Sequence, residues 1–285
     1  MKPPPPVSDG PATTQSILKI EAGREPLRVE DELAGEEPLE IRVRGKAVSV
    51  TMRTPHPDPD QRDQHDAEMA IGFLLGEGVI HDGDDILSVE PCGRPANSHG
   101  NILNVFLAPT CDFDPEKLSR HVFASSSCGL CGKASIDAVH AHFPPVFSDA
   151  QITSDTLLAL PDKLRPSQAT FDRTGGLHAA ALFDTAGNLL VVREDIGRHN
   201  AIDKVLGHAL LQGWLPLTDH ALLVSGRASF EIMQKALSAS VPIVAAVSAP
   251  SSLAAEFAQD SQQTLVGFLR DNRMNVYSHP ERVLL

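Results

Sequence analysis

ALLVSGRASFEIMQKALSASVPIVAAVSAPSSLAAEFAQDSQQTLVGFL, residues 221–269, decides the fold. Ala221–Val224 is a short apolar run that ends in Ser225-Gly226-Arg227, and the residues beyond it, Phe230–Ser240, have helical spacing. A second unit follows: Ile243–Val247, then Ser248-Ala249-Pro250-Ser251-Ser252, then a helix over Leu253–Gln259. Thr264–Leu269 reads as a last buried strand, with Arg270-Asp271-Asn272-Arg273 at its end. Strands alternating with helices imply an α/β domain whose mixed, largely parallel sheet is covered on both faces. Such sheets bind ligands beyond the carboxyl ends of their strands. Ser225–Arg227, Ser248–Ser252 and Arg270–Arg273 fall there on this reading. The first two also open helices, whose N-terminal N–H groups attract anions. The expected ligand therefore carries phosphate, and Arg227 is expected to meet it.

Working outward, strands at His178–Phe183 and Leu189–Val192 flank the turn signal Asp184-Thr185-Ala186-Gly187-Asn188, and a helix covers Ala201–Gln212. The first half is α+β. Leu39, Ile41 and Val43 alternate, Arg44-Gly45-Lys46 splits them from Ala47–Val50, and the pair reads as a hairpin. Asp66–Glu77 has the apolar spacing of an amphipathic helix, strands follow near Ile86–Val89 and Ile102–Leu107, and Thr156–Leu164 reads as another helix. The expected organisation is a flexible Pro-rich tail over 1–25, an N-terminal α+β domain over 26–124, and a C-terminal domain over 125–285 opened by a Cys-x-x-Cys loop.

Composition narrows the function classes. At 285 residues, 42% hydrophobic and 21% charged, the chain has the balance of a globular protein. A net charge of -13 repels nucleic-acid backbones at long range, and 5% aromatic residues make a poor stacking platform, so no nucleic-acid partner is expected. No apolar run is long enough to span a membrane, and the Pro-rich start lacks the apolar core of a secretory signal. The expected location is the cytosol, without a membrane partner, where thiols stay reduced.

Of the four cysteines, Cys92 and Cys111 are isolated, while Cys128 and Cys131 form a pair within SSSCGLCGKA. The small residues keep the loop open, and a thiol near a helix start beside Lys133 gains thiolate character. Two readings stand side by side: sulfur or redox chemistry, and half of a structural zinc site. Zinc needs a second closely spaced pair, which Cys92 and Cys111 do not supply. Zinc deaminase chemistry wants H-x-E ahead of P-C-x-x-C. Here Ser127 precedes Cys128, and the one H-x-E, His279-Pro280-Glu281, lies downstream.

Other stretches also leave alternatives. Arg193-Glu194-Asp195-Ile196-Gly197-Arg198-His199-Asn200 is either a ligand site after a strand or a solvated connection. His178, after Gly175-Gly176, reads as a core histidine at a strand start. Arg270 and Arg273 suit phosphate recognition or serve as a surface pair.

Six segments in fixed order, SSCGLCGKAS, TGGLHAAAL, REDIGRHNAIDKVLG, LLVSGRASFEIMQKA, VAAVSAPSSLAAEFA and GFLRDNRMNVYSHPERV, resemble the FdhD family of formate dehydrogenase accessory sulfurtransferases. The resemblance covers about residues 25–285 and implies the following. A cysteine desulfurase donates sulfane sulfur, Cys128 carries it as a persulfide, and Cys131 relays or supports. The sulfur goes to the molybdenum cofactor in its bis(molybdopterin guanine dinucleotide) form, a bound client destined for the formate dehydrogenase catalytic subunit. The family's cofactor-binding stretch falls on Phe268, Leu269, Arg270, Asp271, Asn272 and Arg273, to which the strand-end reading adds Gly226 and Arg227. The resemblance further implies a cytidine deaminase-like second domain without its zinc chemistry, no resident metal, and a homodimer. Two other classes remain: a cofactor chaperone without sulfur transfer, and a Cys-x-x-Cys dithiol oxidoreductase.

Overall fold

The computed structural model describes residues 10–92, 101–111, 113, 139 and 142–285. Cys128 and Cys131 lie outside the described residues, as does the helix expected after them, except for Val139 and His142, which are helical. The N-terminal part contains β1 (Ala12–Lys19), β2 (Leu27–Ala34), β3 (Glu37–Val43), β4 (Lys46–Arg53), α1 (Pro59–Gly76), β5 (Ile86–Pro91) and β6 (Ile102–Leu107). Then come β7 (Ile152–Thr153), α2 (Ser154–Leu164), α3 (Ala169–Thr174), β8 (His178–Asp184), β9 (Leu189–Asp195), α4 (Arg198–Leu211), β10 (His220–Val224) and α5 (Phe230–Ser238). The chain ends with β11 (Ile243–Ala246), α6 (Ser252–Asp260), β12 (Thr264–Arg270), β13 (Arg273–Ser278) and β14 (Val283–Leu284).

Two sheets carry the molecule. The four-stranded sheet has the order β4-β3-β6-β5, and the six-stranded sheet the order β13-β12-β11-β10-β8-β9. The expected hairpin is β3–β4, and its turn places Arg44 and Gly45 at positive φ, as a two-residue hairpin loop requires. Along β3, Leu39, Ile41 and Val43 are buried at period two. Helix α1 starts earlier than its apolar spacing shows. Asp58 caps it by accepting from the Asp60 N–H at 3.0 Å, and Pro59 occupies the first turn, where its missing N–H costs nothing.

The six-stranded sheet is mixed, but it is not largely parallel. Only β10–β11 and β11–β12 pair in parallel; β8–β9, β8–β10 and β12–β13 are antiparallel. Short turns force this outcome. A two-residue loop can return the chain only antiparallel, and Asp271-Asn272, both at positive φ, make such a loop between β12 and β13. Thr264–Leu269 is therefore not the last strand. Ala12–Lys19, within the stretch expected as a flexible tail, pairs with β2 along its whole length. Both of these strands are half-exposed, so neither shows an apolar alternation.

Helices cover both faces of the larger sheet. Helix α2 seats Leu157, Leu160 and Leu164 on one face against Ala181, Phe183 and Leu223. On the other face α4, α5 and α6 share one continuous core with α1 and the inner face of the four-stranded sheet. The order of layers is thus small sheet, α1, the α4 layer, large sheet, α2. Chain contact at the centre is extremely close. A β-carbon added at Gly207 would fall 1.8 Å from the Glu68 carbonyl oxygen, and one at Gly72 would fall 1.9 Å from that of Asp203. The backbones of α1 and α4 touch, and only glycine permits it. Arg53, fully buried, fastens β4 to the same helix layer: it donates to Glu37 at 2.8 Å and lies 2.8 Å from Asp66. Gly207→Ala is expected to destabilise the protein by roughly 3 kcal/mol, because two helix backbones must part. A urea-unfolding midpoint unchanged from wild type would contradict this crossing.

Candidate functional site

The carboxyl ends of β10, β11 and β12 lie along one edge of the six-stranded sheet, joined by the start of β8 and the end of β9. Three loops form that edge and are knitted together by backbone. Ala228 bridges Pro250, and the Ser251 N–H donates to the Ala228 carbonyl at 2.9 Å. The Phe268 N–H donates to the Ser248 carbonyl at 3.0 Å. Pro250 also packs on Gly267, where a β-carbon would come within 2.8 Å of its ring. The segments 225–229, 248–252 and 268–273 are thus parts of one surface.

The expected ligand stretch resolves into distinct jobs. Phe268 sits at φ 53° in a β-bulge, a conformation disfavoured for a side-chain-bearing residue, and the register shifts between Gly267 and Arg270. Leu269 is fully buried in the core between the large sheet and α2, so it anchors the strand and does not face a ligand. Arg270 and Arg273 are direct cross-strand partners on either side of the Asp271-Asn272 turn, and both guanidiniums are exposed. Asp271 lies 3.9 Å from each, at the limit of an ion pair, which leaves both forks largely unoccupied. The Arg270 guanidinium stands 5.9 Å from the Phe268 ring. Arg227 is exposed on the neighbouring loop.

Gly226 faces His178 and Arg198: a β-carbon there would lie 3.4 Å from His178 Nδ1 and 3.7 Å from Arg198 Cδ. His178 is therefore a half-buried residue of this edge, not a core histidine. Burial first, then the charges of Arg198 and His199, hold its pKa below the ordinary histidine value. His199 Nε2 is 2.8 Å from Glu231, and that hydrogen bond is the main cause of the lowered Glu231 pKa. Arg198 and His199 belong to the edge although the strand-end reading passed over them. The signal was present in the Gly197-Arg198-His199 run directly after a strand.

The charged stretch 193–200 is not a solvated connection. Asp195 is wholly buried and accepts from Lys204 Nζ at 2.6 Å, the Thr54 N–H at 3.1 Å, the Gly197 N–H at 2.9 Å and Asn200 Nδ2 at 2.8 Å. Glu194 receives the Thr170 and Phe171 N–H groups at the start of α3. Arg193 forks onto buried Glu68 of α1 at 2.6 and 2.7 Å, and His208 adds a 2.8 Å contact. Because Thr54 and Glu68 belong to the N-terminal part and Arg193 and Asp195 to β9 of the large sheet, these bonds tie the two halves together just behind the candidate edge. Cys111 is buried with Sγ 3.2 Å from the Val79 carbonyl, and Cys92 is half-exposed at the end of β5. Among the described residues, no three His, Cys, Asp or Glu side chains meet as metal ligands, and no helix is long and apolar enough to cross a membrane.

The FdhD/NarQ family model matches residues 34–284, which includes every segment of this edge. The chain belongs to the FdhD/NarQ family. It is 52% identical over 259 residues to the sulfur carrier protein FdhD of Mycobacterium tuberculosis, a match covering 88% of this chain and 91% of that protein. To the sulfur carrier protein FdhD of Streptomyces coelicolor it is 48% identical over 282 residues, 95% of each chain. A crystal structure from Desulfotalea psychrophila, described as a formate dehydrogenase accessory protein, superposes with TM-score 0.73 at 26% identity, covering 96% of this chain and 99% of the other.

The buried charges behind the edge, Arg193 and Lys204, give this chain a pH signature through His65 of α1. Burial, then the charges of Arg193 and Lys204, push the His65 pKa from 6.5 to about 3. Below pH 6.5 the unfolded chain binds a proton at His65 that the folded protein refuses, so this contribution to stability is complete above 6.5 and is lost as pH falls towards 3. Asp203, raised to about 6 by burial, acts with the opposite sign. Comparing wild type with His65→Asn cancels the Asp203 part. The variant is expected to lose less stability between pH 7 and pH 5 in urea titrations, and parallel losses in the two proteins would contradict it.

Proposed function

We propose that this chain is a sulfurtransferase of formate dehydrogenase maturation. It takes sulfane sulfur as a persulfide on Cys128 and hands it to the bis(molybdopterin guanine dinucleotide) molybdenum cofactor. The observation that carries the reading is the sheet edge itself. It offers two cross-strand guanidiniums with weakly held forks, a third arginine on the adjoining loop, and backbone opened by Gly226, gathered at the carboxyl ends of β10 and β12 and the start of β13. Guanidinium forks match phosphate oxygens, so Arg227, Arg270 and Arg273 would hold the diphosphates of the dinucleotide client.

The chemistry is a sulfur exchange. The Cys128 thiolate attacks the outer sulfur of a desulfurase persulfide; a new S–S bond forms at Cys128, the donor's S–S bond breaks, and the donor cysteine leaves as a thiolate. Cys131, three residues on, supports the carrier or relays the sulfur. The terminal sulfur would then pass to the cofactor as the persulfide S–S bond breaks and Cys128 leaves as a thiolate, the reduced client supplying the two electrons that bring the sulfur to the sulfide level, before the client enters the dehydrogenase catalytic subunit. This work belongs in a reducing compartment, the cytosol, where the Cys128 thiol stays free to accept, and we place it in a homodimer.

Two measurements test this reading. After incubation with a cysteine desulfurase and cysteine, mass spectrometry is expected to show one added sulfur on the Cys128 peptide, removable by reductant and absent in Cys128→Ala. No gain on wild type with an active desulfurase would favour a cofactor chaperone instead. For the edge, GDP serves as the probe. Arg270→Ala with Arg273→Ala is expected to weaken its binding by roughly tenfold or more, since each lost charged hydrogen bond is worth about 1.5–3 kcal/mol. Unchanged GDP affinity would remove the hairpin from the site.

A further inference from the structure

Among the described residues, Arg282 is a buried cation without an ion-pairing carboxylate. It closes the short 3-10 turn Pro280–Arg282 ahead of β14 and is only 7% exposed. Nη1 reaches Thr264 Oγ1 and Nη2 reaches the Ser148 carbonyl, both at a long 3.4 Å, while Nε is buried without a partner. Among the described residues no carboxylate comes within ion-pairing distance of this guanidinium, unlike Arg53, which is also buried, and the partly buried Arg193. Burial holds its pKa below the ordinary arginine value, with Glu281 and Asp149 opposing from farther away. A guanidinium taken out of water with its fork half-filled is costly unless something completes it.

A cavity of about 580 Å³ opens over it. Thr218 and Asp219 enter the cavity wall just before β10, and Gln262 just before β12, so it lies at the opposite edge of the sheet from the arginine hairpin. The side chains sort by charge. Among the described residues of the lining, Arg282 is the only cation. Asp149 and Asp219 are also there, and Asp219, 77% exposed, holds His220 Nδ1 at 2.7 Å. Phe147 presents its ring to solvent at 81% exposure, unusual for an aromatic side chain. Two carboxylates repel a phosphate dianion, which argues against a second nucleotide site. They suit a single negative charge with a positive one beside it. The volume is that of pockets that hold ligands well above the size of one amino acid.

The geometry points to a docking site for the C-terminal carboxylate of a partner polypeptide, received by Arg282, with a basic residue of that segment between Asp149 and Asp219 and an apolar one against Phe147. The assignment is independent of the sulfur-transfer reading, because the residues and the sheet edge are different.

The test is titration of the full chain, followed by calorimetry, with the peptide acetyl-Ala-Ala-Lys-Leu as free acid and as C-terminal amide. The acid is expected to bind saturably and the amide roughly tenfold or more weakly, the loss of one charge-assisted hydrogen bond. Free acetate supplies the carboxylate without the chain and is expected to bind far more weakly than the peptide acid. Arg282 also braces β14, so Phe147→Ala, which alters only an exposed ring, accompanies Arg282→Gln; both are expected to weaken the acid. Equal binding of acid and amide, no binding of either, or acetate as tight as the peptide would each overturn the assignment.

Discussion

Everything in this fold depends on two helices touching backbone to backbone. Gly72 on α1 and Gly207 on α4 each leave room for a carbonyl of the other helix that any β-carbon would strike. That approach brings the layer beneath the small sheet against the layer above the large one, and it makes one hydrophobic core where the chain's α+β and α/β halves could have had two. With the helices this close, charged residues flanking the crossing cannot reach water. They must satisfy one another, which is why Glu68, Arg193 and His208 form one buried set and Asp195, Lys204 and Thr54 another. The helix N-terminus that carries Arg198 and His199 is placed by those bonds.

The charged segment 193–200 has a divided purpose. Its first three charges, Arg193, Glu194 and Asp195, point inward and bind elements of both halves. Its later ones, Arg198 and His199, stand at the sheet edge beside Gly226 and Glu231. Scaffold and site are separated by only two residues, so a substitution in this segment that disturbs ligand binding need not touch ligand. Separating the two effects requires a stability measurement beside every binding measurement.

What could be read from the residues alone follows the physics of burial. Strand β3 announced itself by apolar alternation, strands β8, β10, β11 and β12 by short continuous apolar runs buried on both faces, and helices α2, α5 and α6 by apolar residues at helical spacing. Strands β1 and β2 did not, since neither face is consistently buried. Strand β13 was hidden by its turn: Asp271-Asn272 adopts positive φ without the glycine that usually advertises such a loop, and the charged neighbours read as a strand end. The same omission made the sheet look more parallel than it is. At the site, arginine chemistry and spacing were legible, but the pairing of Arg270 with Arg273 was not, because it exists only once the hairpin closes. Arg282 gave no signal at all; its isolation depends on Ser148 and Thr264, which are distant in sequence.

The hairpin turn is a ruler as well as a connection. With two residues between them, Arg270 and Arg273 occupy facing positions of the ladder and so project from the same side of the sheet. One residue more or fewer would slip the register by a step and send the two guanidiniums to opposite faces. Evolution is therefore freer to change which residues occupy the turn than how many there are, and the spacing between the arginines, more than the identity of what separates them, is the heritable specification of this surface.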